Sequence, residues 1–213
     1  MRLVLPRLYV ILDSALLEKT PRESAEEFAE AGVRLMQYRD KSARARELLR
    51  NSRELVHCVA RYGASMIVND RPDVANLAGA RGVHVGQDDL EPAQARTIVG
   101  DEMLIGVSTH NLEQFQRAAA TSADYIAVGP IFATKSKGNP DPVVGIELIK
   151  RVRPLTQKPI VAIGGITLET AKQVITAGAD CVAVIGDILN APDPAARAHA
   201  YLDTFGAADR AAV

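Results

Sequence analysis

Eight short apolar runs recur along this chain, each followed by a stretch of helical composition, and that alternation excludes most folds at once. The runs lie at residues 8–12, 33–38, 65–68, 82–85, 104–107, 125–128, 160–163 and 181–185. Segments rich in Ala, Glu and Arg follow at 22–31, 43–62, 71–78, 92–99, 111–121, 145–153, 170–177 and 195–205. Strands apolar on both faces must be covered on both faces, which marks parallel strands joined by helical crossovers. Closing eight of them into a (β/α)8 TIM barrel leaves no edge unpaired, and 213 residues suit a single domain of that kind spanning 1–213. Residues 1–6 and about 207–213 are expected to fray at its ends. Pro92 suits a first helical turn, Gly32, Gly63 and Gly178 suit helix ends, and Glu169 or Thr170 suits a helix start. Ala-Gly-Ala-Asp and its variants recur before strands and belong to the grammar of the fold.

An open doubly wound sheet also satisfies the alternation. It would gather polar residues at one switch point, whereas barrel function gathers at the carboxyl ends of all the strands. Here polar or glycine residues follow every run from the second onward: Gln37, Arg39 and Lys41, then Asn69 and Asp70, then Asp88 and Asp89, then Ser108 and His110. Thr134 to Lys137 follow the sixth, Gly164 and Gly165 the seventh, and Gly186 the eighth. The closed barrel is the better reading.

These positions suggest a chemistry. Side chains on a strand alternate with period two, so Gln37, Arg39 and Lys41 share one face and aim at the barrel mouth, where they suit a phosphorylated ligand. The Thr134-Lys135-Ser136-Lys137 loop offers hydroxyls, amides and ammonium groups to an anion, and a solvated basic turn is its alternative. Gly164, Gly165 and Gly186 let backbone approach a phosphate after strands seven and eight, or merely form turns. Asp70 and Asp89, on adjacent strand ends, could hold one hard cation together with substrate phosphate. Each could instead cap a helix, Asp70 the one beginning at Arg71 and Asp89 the one beginning at Pro92. The four histidines do not single out a base; His84 falls inside a strand and only His110 lies near the mouth. The residues 134–144 connection has the length and composition of a lid.

Composition narrows the partners. Net charge is -1 with 24% charged residues, so the overall balance advertises neither nucleic acid nor an acidic membrane. No run approaches the roughly 18 apolar residues of a membrane span, and the first residues do not read as a secretory leader. Cys58 and Cys181 lack metal-ligand spacing and are expected to be reduced and structural in a cytoplasmic protein. Small-molecule substrates remain, with a homo-oligomer left open.

Taken in order, Gln37 to Lys41, Asn69-Asp70-Arg71, His84 to Asp89, Gly106-Val107-Ser108, Val128 to Phe132 with Thr134 to Lys137, and Ala162 to Ile166 resemble the thiamine-phosphate synthase family. The resemblance implies a transferase that condenses 4-amino-2-methyl-5-hydroxymethylpyrimidine diphosphate with 4-methyl-5-(2-hydroxyethyl)thiazole phosphate, or its carboxylated form, releasing diphosphate. It implies that Gln37, Arg39, Lys41, Asn69, Ser108 and Lys137 hold the pyrimidine diphosphate, with Arg39, Lys41, Ser108 and Lys137 catalytic. It places one Mg2+ per active site on Asp70 and Asp89, and the thiazole phosphate on Thr134, Lys135, Ser136, Gly165, Ile185 and Gly186. Many relatives carry serine where this chain has Gly186. The related thiazole tautomerase and a silent precursor binder are the rivals. Neither needs the charge set of Arg39, Asp70, Asp89 and Lys137 that this chain keeps.

Overall fold

Each strand begins where side chains that alternate between two apolar environments replace the polar surface of a helix. In the computed structural model, which describes residues 3–134 and 141–206, the strands are β1 (Leu8–Asp13), β2 (Leu35–Arg39), β3 (Ser65–Asn69), β4 (Gly82–Val85), β5 (Leu104–Thr109), β6 (Tyr125–Val128), β7 (Ile160–Ile163) and β8 (Cys181–Val184). All pair in parallel with their sequence neighbours, and β8 pairs with β1 through Leu8↔Val182 and Val10↔Val184. The sheet is therefore a closed (β/α)8 barrel.

Period two divides most strands between two cores. Val10, Met36, Val68, Val83, Ile126 and Val182 face outward into the main cluster beneath the helices. Tyr9, Ile11, Leu35, Ile67, Tyr125, Val161 and Cys181 face inward and fill the lower barrel. A buried aliphatic side chain of this kind contributes on the order of 2 kcal/mol. Leu5 is buried in the inner cluster and Leu3 packs against it, so the chain is anchored to the barrel floor before β1 begins.

The helices are α1 (Pro21–Glu30), α2 (Ala45–Ala60), α3 (Pro72–Ala78), α4 (Pro92–Val99), α5 (Leu112–Ala119), α6 (Gly145–Val152), α7 (Leu168–Thr176), α8 (Gly186–Leu189) and α9 (Pro194–Phe205). Their starts follow capping chemistry. Thr20 and Glu23 form a reciprocal box ahead of Pro21, and Asn111 and Asp193 accept from Gln114 N and Ala196 N. α7 begins earlier than its sequence suggests, because Thr167 and Thr170 form the box and Thr167, not Glu169 or Thr170, is the cap. The last strand stops at Val184, one residue short of the expected 181–185 run. Ile185 turns there (φ -119, ψ -86) into the four-residue α8, which the sequence reading did not anticipate.

The recurring Asp before strands has a structural reason. Asp124, ahead of β6, accepts from Ile105 N at 2.7 Å and from Arg96 Nη2 at 2.6 Å. Asp180, ahead of β8, accepts from Ile160 N at 2.8 Å and Arg153 Nη1 at 2.6 Å. Each carboxylate satisfies an amide at the start of the preceding strand and ties it to an arginine of the helical layer, at the floor of the barrel and away from its mouth.

Candidate active site

The carboxyl ends of the strands open into one cavity of about 900 Å3. Gln37, Arg39, Lys41, Asn69, Asp70, Asp89, Ser108, Thr134, Gly165, Ile185 and Gly186 all line it. Barrel closure thus brings together every described residue that the sequence marked. Lys135, Ser136 and Lys137, with most of the 134–144 connection, lie outside the described residues.

On β2, Tyr38 turns outward, accepting from Asn51 Nδ2 and donating to Asp40, while Gln37 and Arg39 turn inward as period two requires. Lys41 lies beyond the strand's end and reaches the cavity from the loop. Arg39 forms an ion pair with Asp13, its register partner on β1, whose side chain is buried. Sequence reading passed over Asp13. The same period-two argument applied to Tyr9, Ile11 and Asp13 would have found it.

The two loop aspartates are not helix caps. The residue before α3 is Arg71, which makes no side-chain cap, and α4 is started by Glu91 with Gln94, whose Oε1 accepts from Glu91 N at 3.1 Å. Asp70 instead adopts φ 60, the one left-handed non-glycine conformation among the described residues, and its N–H donates to His84 O at 2.7 Å. Aspartate tolerates this region better than most residues. Its carboxylate meets Lys41 in an ion pair and also contacts Asp89. Asp89 Oδ2 accepts from Gly86 N at 2.8 Å. Burial pushes the Asp89 carboxyl above the ordinary aspartate range; its bond from Gly86 N opposes that, and the adjoining Asp70 carboxylate adds to it. Two hard oxygen donors in like-charge contact are a donor set that a divalent cation satisfies. Among the described residues no group of three or more His, Cys, Asp or Glu could hold a metal, so further ligands would have to come from substrate oxygens and water.

Glycine forms the opposite wall. Gly165 has φ 63, and a Cβ there would lie 2.4 Å from Ala133 O; Gly164 has φ 97 and abuts Pro130. The β7 loop therefore packs on the β6 loop only with glycine at both positions, so the turn-forming role is real and coexists with cavity lining. Gly186 opens α8, leaving the first amides of that turn without intrahelical acceptors at the cavity wall. Asp187, next in α8, accepts from Tyr201 Oη at 2.6 Å and from Arg197 Nε and Nη2, both at 3.0 Å, which fastens α8 to α9.

Along the base of the cavity runs a polar string, of which Gln37, Tyr9, His84 and Ser108 line the cavity and Tyr125 is fully buried. Gln37 Nε2 donates to Tyr9 Oη at 2.7 Å, and Tyr9 Oη lies 3.2 Å from Tyr125 Oη. Tyr125 Oη lies 3.1 Å from His84 Nδ1, and His84 Nε2 lies 2.9 Å from Ser108 Oγ. His84, unassigned from sequence, is thus a satisfied inward-facing histidine whose ring stacks on Tyr125. At the mouth, His110 Nδ1 donates to Gly129 O at 2.7 Å and Nε2 lies 3.5 Å from Asp141.

A family model described as thiamine monophosphate synthase matches residues 8–188. The thiamine-phosphate synthase of Koribacter versatilis (strain Ellin345) is 52% identical over 205 residues, covering 94% of this chain and 96% of that protein. Its counterpart from Chloroflexus aurantiacus is 42% identical over 193 residues, covering 90% and 89%. A solved thiamine phosphate pyrophosphorylase from Pyrococcus furiosus superposes with a TM-score of 0.83 at 33% identity, covering 92% of this chain and 93% of that one.

Proposed function

The chain belongs to the thiamine monophosphate synthase family, and from that premise we propose that it is a transferase of thiamine biosynthesis. It joins 4-amino-2-methyl-5-hydroxymethylpyrimidine diphosphate to 4-methyl-5-(2-hydroxyethyl)thiazole phosphate. The observation that carries the reading is the meeting of Asp70 and Asp89 beside Arg39 and Lys41, across one cavity from the glycine wall.

In the reaction the bond from the pyrimidine methylene carbon to the diphosphate oxygen breaks, and the electron pair leaves with diphosphate. The thiazole nitrogen then forms the new bond with its lone pair. No proton has to be abstracted, so the chain needs no nucleophile or general base; its tasks are charge stabilisation and positioning. Asp70 and Asp89 would hold Mg2+, which supplies charge neutralisation of the leaving diphosphate when bound. Arg39, Lys41 and Lys137 add fixed positive charge there. Gln37, Asn69 and Ser108 hold the pyrimidine diphosphate in register. Thr134, Lys135, Ser136, Gly165, Ile185 and Gly186 receive the thiazole phosphate, with the first amides of α8 supplying donors where a serine is absent.

No helix among the described residues is long and apolar enough to cross a membrane, and both cysteines are buried and free, as suits the reducing cytoplasm in which we place the enzyme. The test is a coupling assay with both substrates and Mg2+, beside a chelator control and Asp70→Ala. Thiamine phosphate from the wild type, lost in both controls, is the expected result. No product from the wild type, or product indifferent to both controls, would overturn the proposal.

A further inference from the structure

The polar string along the base of the cavity joins two residues assigned above to the pyrimidine diphosphate, Gln37 and Ser108, through three residues that have no assigned part in the reaction. We propose that Tyr9, Tyr125 and His84 are positioning residues that fix Gln37 as a hydrogen-bond acceptor and Ser108 as a donor toward the pyrimidine substrate. The identity of that substrate rests on the function proposed above; the existence and direction of the string do not.

The direction follows from counting protons along the string. Gln37 Nε2 donates to Tyr9 Oη, which leaves the Gln37 Oε1 to accept from whatever enters the cavity that Gln37 lines. Tyr9 accepts from Gln37, and its own buried proton is satisfied by donating to Tyr125 Oη, its other hydrogen-bond partner among the described residues. Tyr125 in turn donates to His84 Nδ1, which makes His84 the Nε2–H tautomer. That Nε2–H donates to Ser108 Oγ, and the Ser108 proton is left to point into the cavity. An acceptor at one end and a donor at the other is the pattern that suits an aminopyrimidine, whose edge carries an amino donor beside ring-nitrogen acceptors. Reversing any one link reverses the ends, so a single buried choice sets both contacts.

Two independent features show that the string is built and not incidental. Gly106 faces Tyr125 across the β5–β6 pair, and a Cβ there would lie 2.1 Å from Tyr125 Cζ and 2.4 Å from its Oη, so only glycine lets the phenol lie across the barrel. Both tyrosines are fully buried, and burial pushes their hydroxyls well above the ordinary range, which keeps both protons in place as donors.

The test has two readouts on the intact protein. Ring 15N shifts at about pH 8, with the His84 signal assigned by its loss in His84→Gln, should show the Nε2–H tautomer in the wild type. This needs no substrate and so stands or falls apart from the function proposed above. In the coupling assay, Tyr125→Phe should raise KM for the pyrimidine diphosphate about tenfold, the cost of one misdirected hydrogen bond, and leave KM for the thiazole phosphate unchanged. Tyr9→Phe should give the same split, because it removes the link that carries the direction of Gln37 to Tyr125. An Nδ1–H tautomer in the wild type, an equal change in both KM values, or no change in either would overturn the proposal.

Discussion

Replacing Gly106 by alanine isolates the tightest contact of the barrel interior. The new Cβ would stand 2.1 Å, 2.3 Å and 2.4 Å from Cζ, Cε2 and Oη of Tyr125, where carbon atoms in contact need about 3.5 Å. The ring would have to retreat by more than about 1 Å. It has nowhere to go: Tyr125 is fully buried, stacked on His84 at 5.6 Å and set edge-on to Tyr9 at 6.3 Å. Overpacking of this kind costs about 1–3 kcal/mol. Pulling the Tyr125 hydroxyl from His84 and Tyr9 leaves buried polar atoms unpaired for about 1–3 kcal/mol more. Gly106→Ala should therefore destabilise by about 4 kcal/mol, a large part of the roughly 5–15 kcal/mol of an ordinary domain. Tyr125→Ala empties the same space at a cost of about 3–5 kcal/mol, and in that background the alanine methyl enters the vacancy almost without penalty. Urea unfolding of wild type, both single variants and the double variant closes the cycle, with midpoints compared at constant slope. A coupling energy of about 4 kcal/mol, close to the whole Gly106→Ala cost, is the expected outcome. Additive losses, or a Gly106→Ala cost below about 1 kcal/mol, would refute the claim that this glycine exists to admit the tyrosine.

Two further outcomes follow from the carboxylates. Asp70 sits at φ 60, so Asp70→Gly and Asp70→Ala should both lose coupling activity while the glycine variant is about 1 kcal/mol the more stable in urea; equal midpoints would show that the left-handed turn carries no strain. Asp89 has its folded pKa raised by burial and by Asp70, so the stability tied to its proton is present below about pH 4, the unfolded value, and is lost as pH rises through the folded value. Asp89→Asn, which stays neutral and keeps an oxygen for Gly86 N, should therefore be more stable than metal-free wild type at about pH 7, and lose Mg2+-dependent coupling; unchanged stability there would remove the like-charge argument.

Much of the site was legible because period two is a local property. The alternation of Gln37, Tyr38 and Arg39 states which side chains face the barrel interior, and eight repeats of strand and helix state that such an interior exists. The ordered polar strand ends then mark its mouth. Local pattern also gave the longer described helices within a few residues and missed α8, whose four residues are too few to show a helical period.

What the pattern could not supply is which inward residues meet. Asp13 meets Arg39 because β1 and β2 pair in the register Asp13↔Arg39, and the string from Gln37 to Ser108 spans β2, β1, β6, β4 and β5. Such contacts depend on closure of the sheet and on its stagger, which no single segment encodes. The choice between cap and cavity for Asp70 and Asp89 was likewise tertiary. The folded backbone gave the cap positions of α3 and α4 to Arg71 and Glu91, and turned Asp70 through a positive φ onto Lys41 and Asp89. Sequence by itself determined the barrel, the faces of its strands and the family. The tertiary structure alone decided the pairings across the barrel, because hydrogen bonds and like-charge contacts depend on distances between residues that the chain keeps far apart.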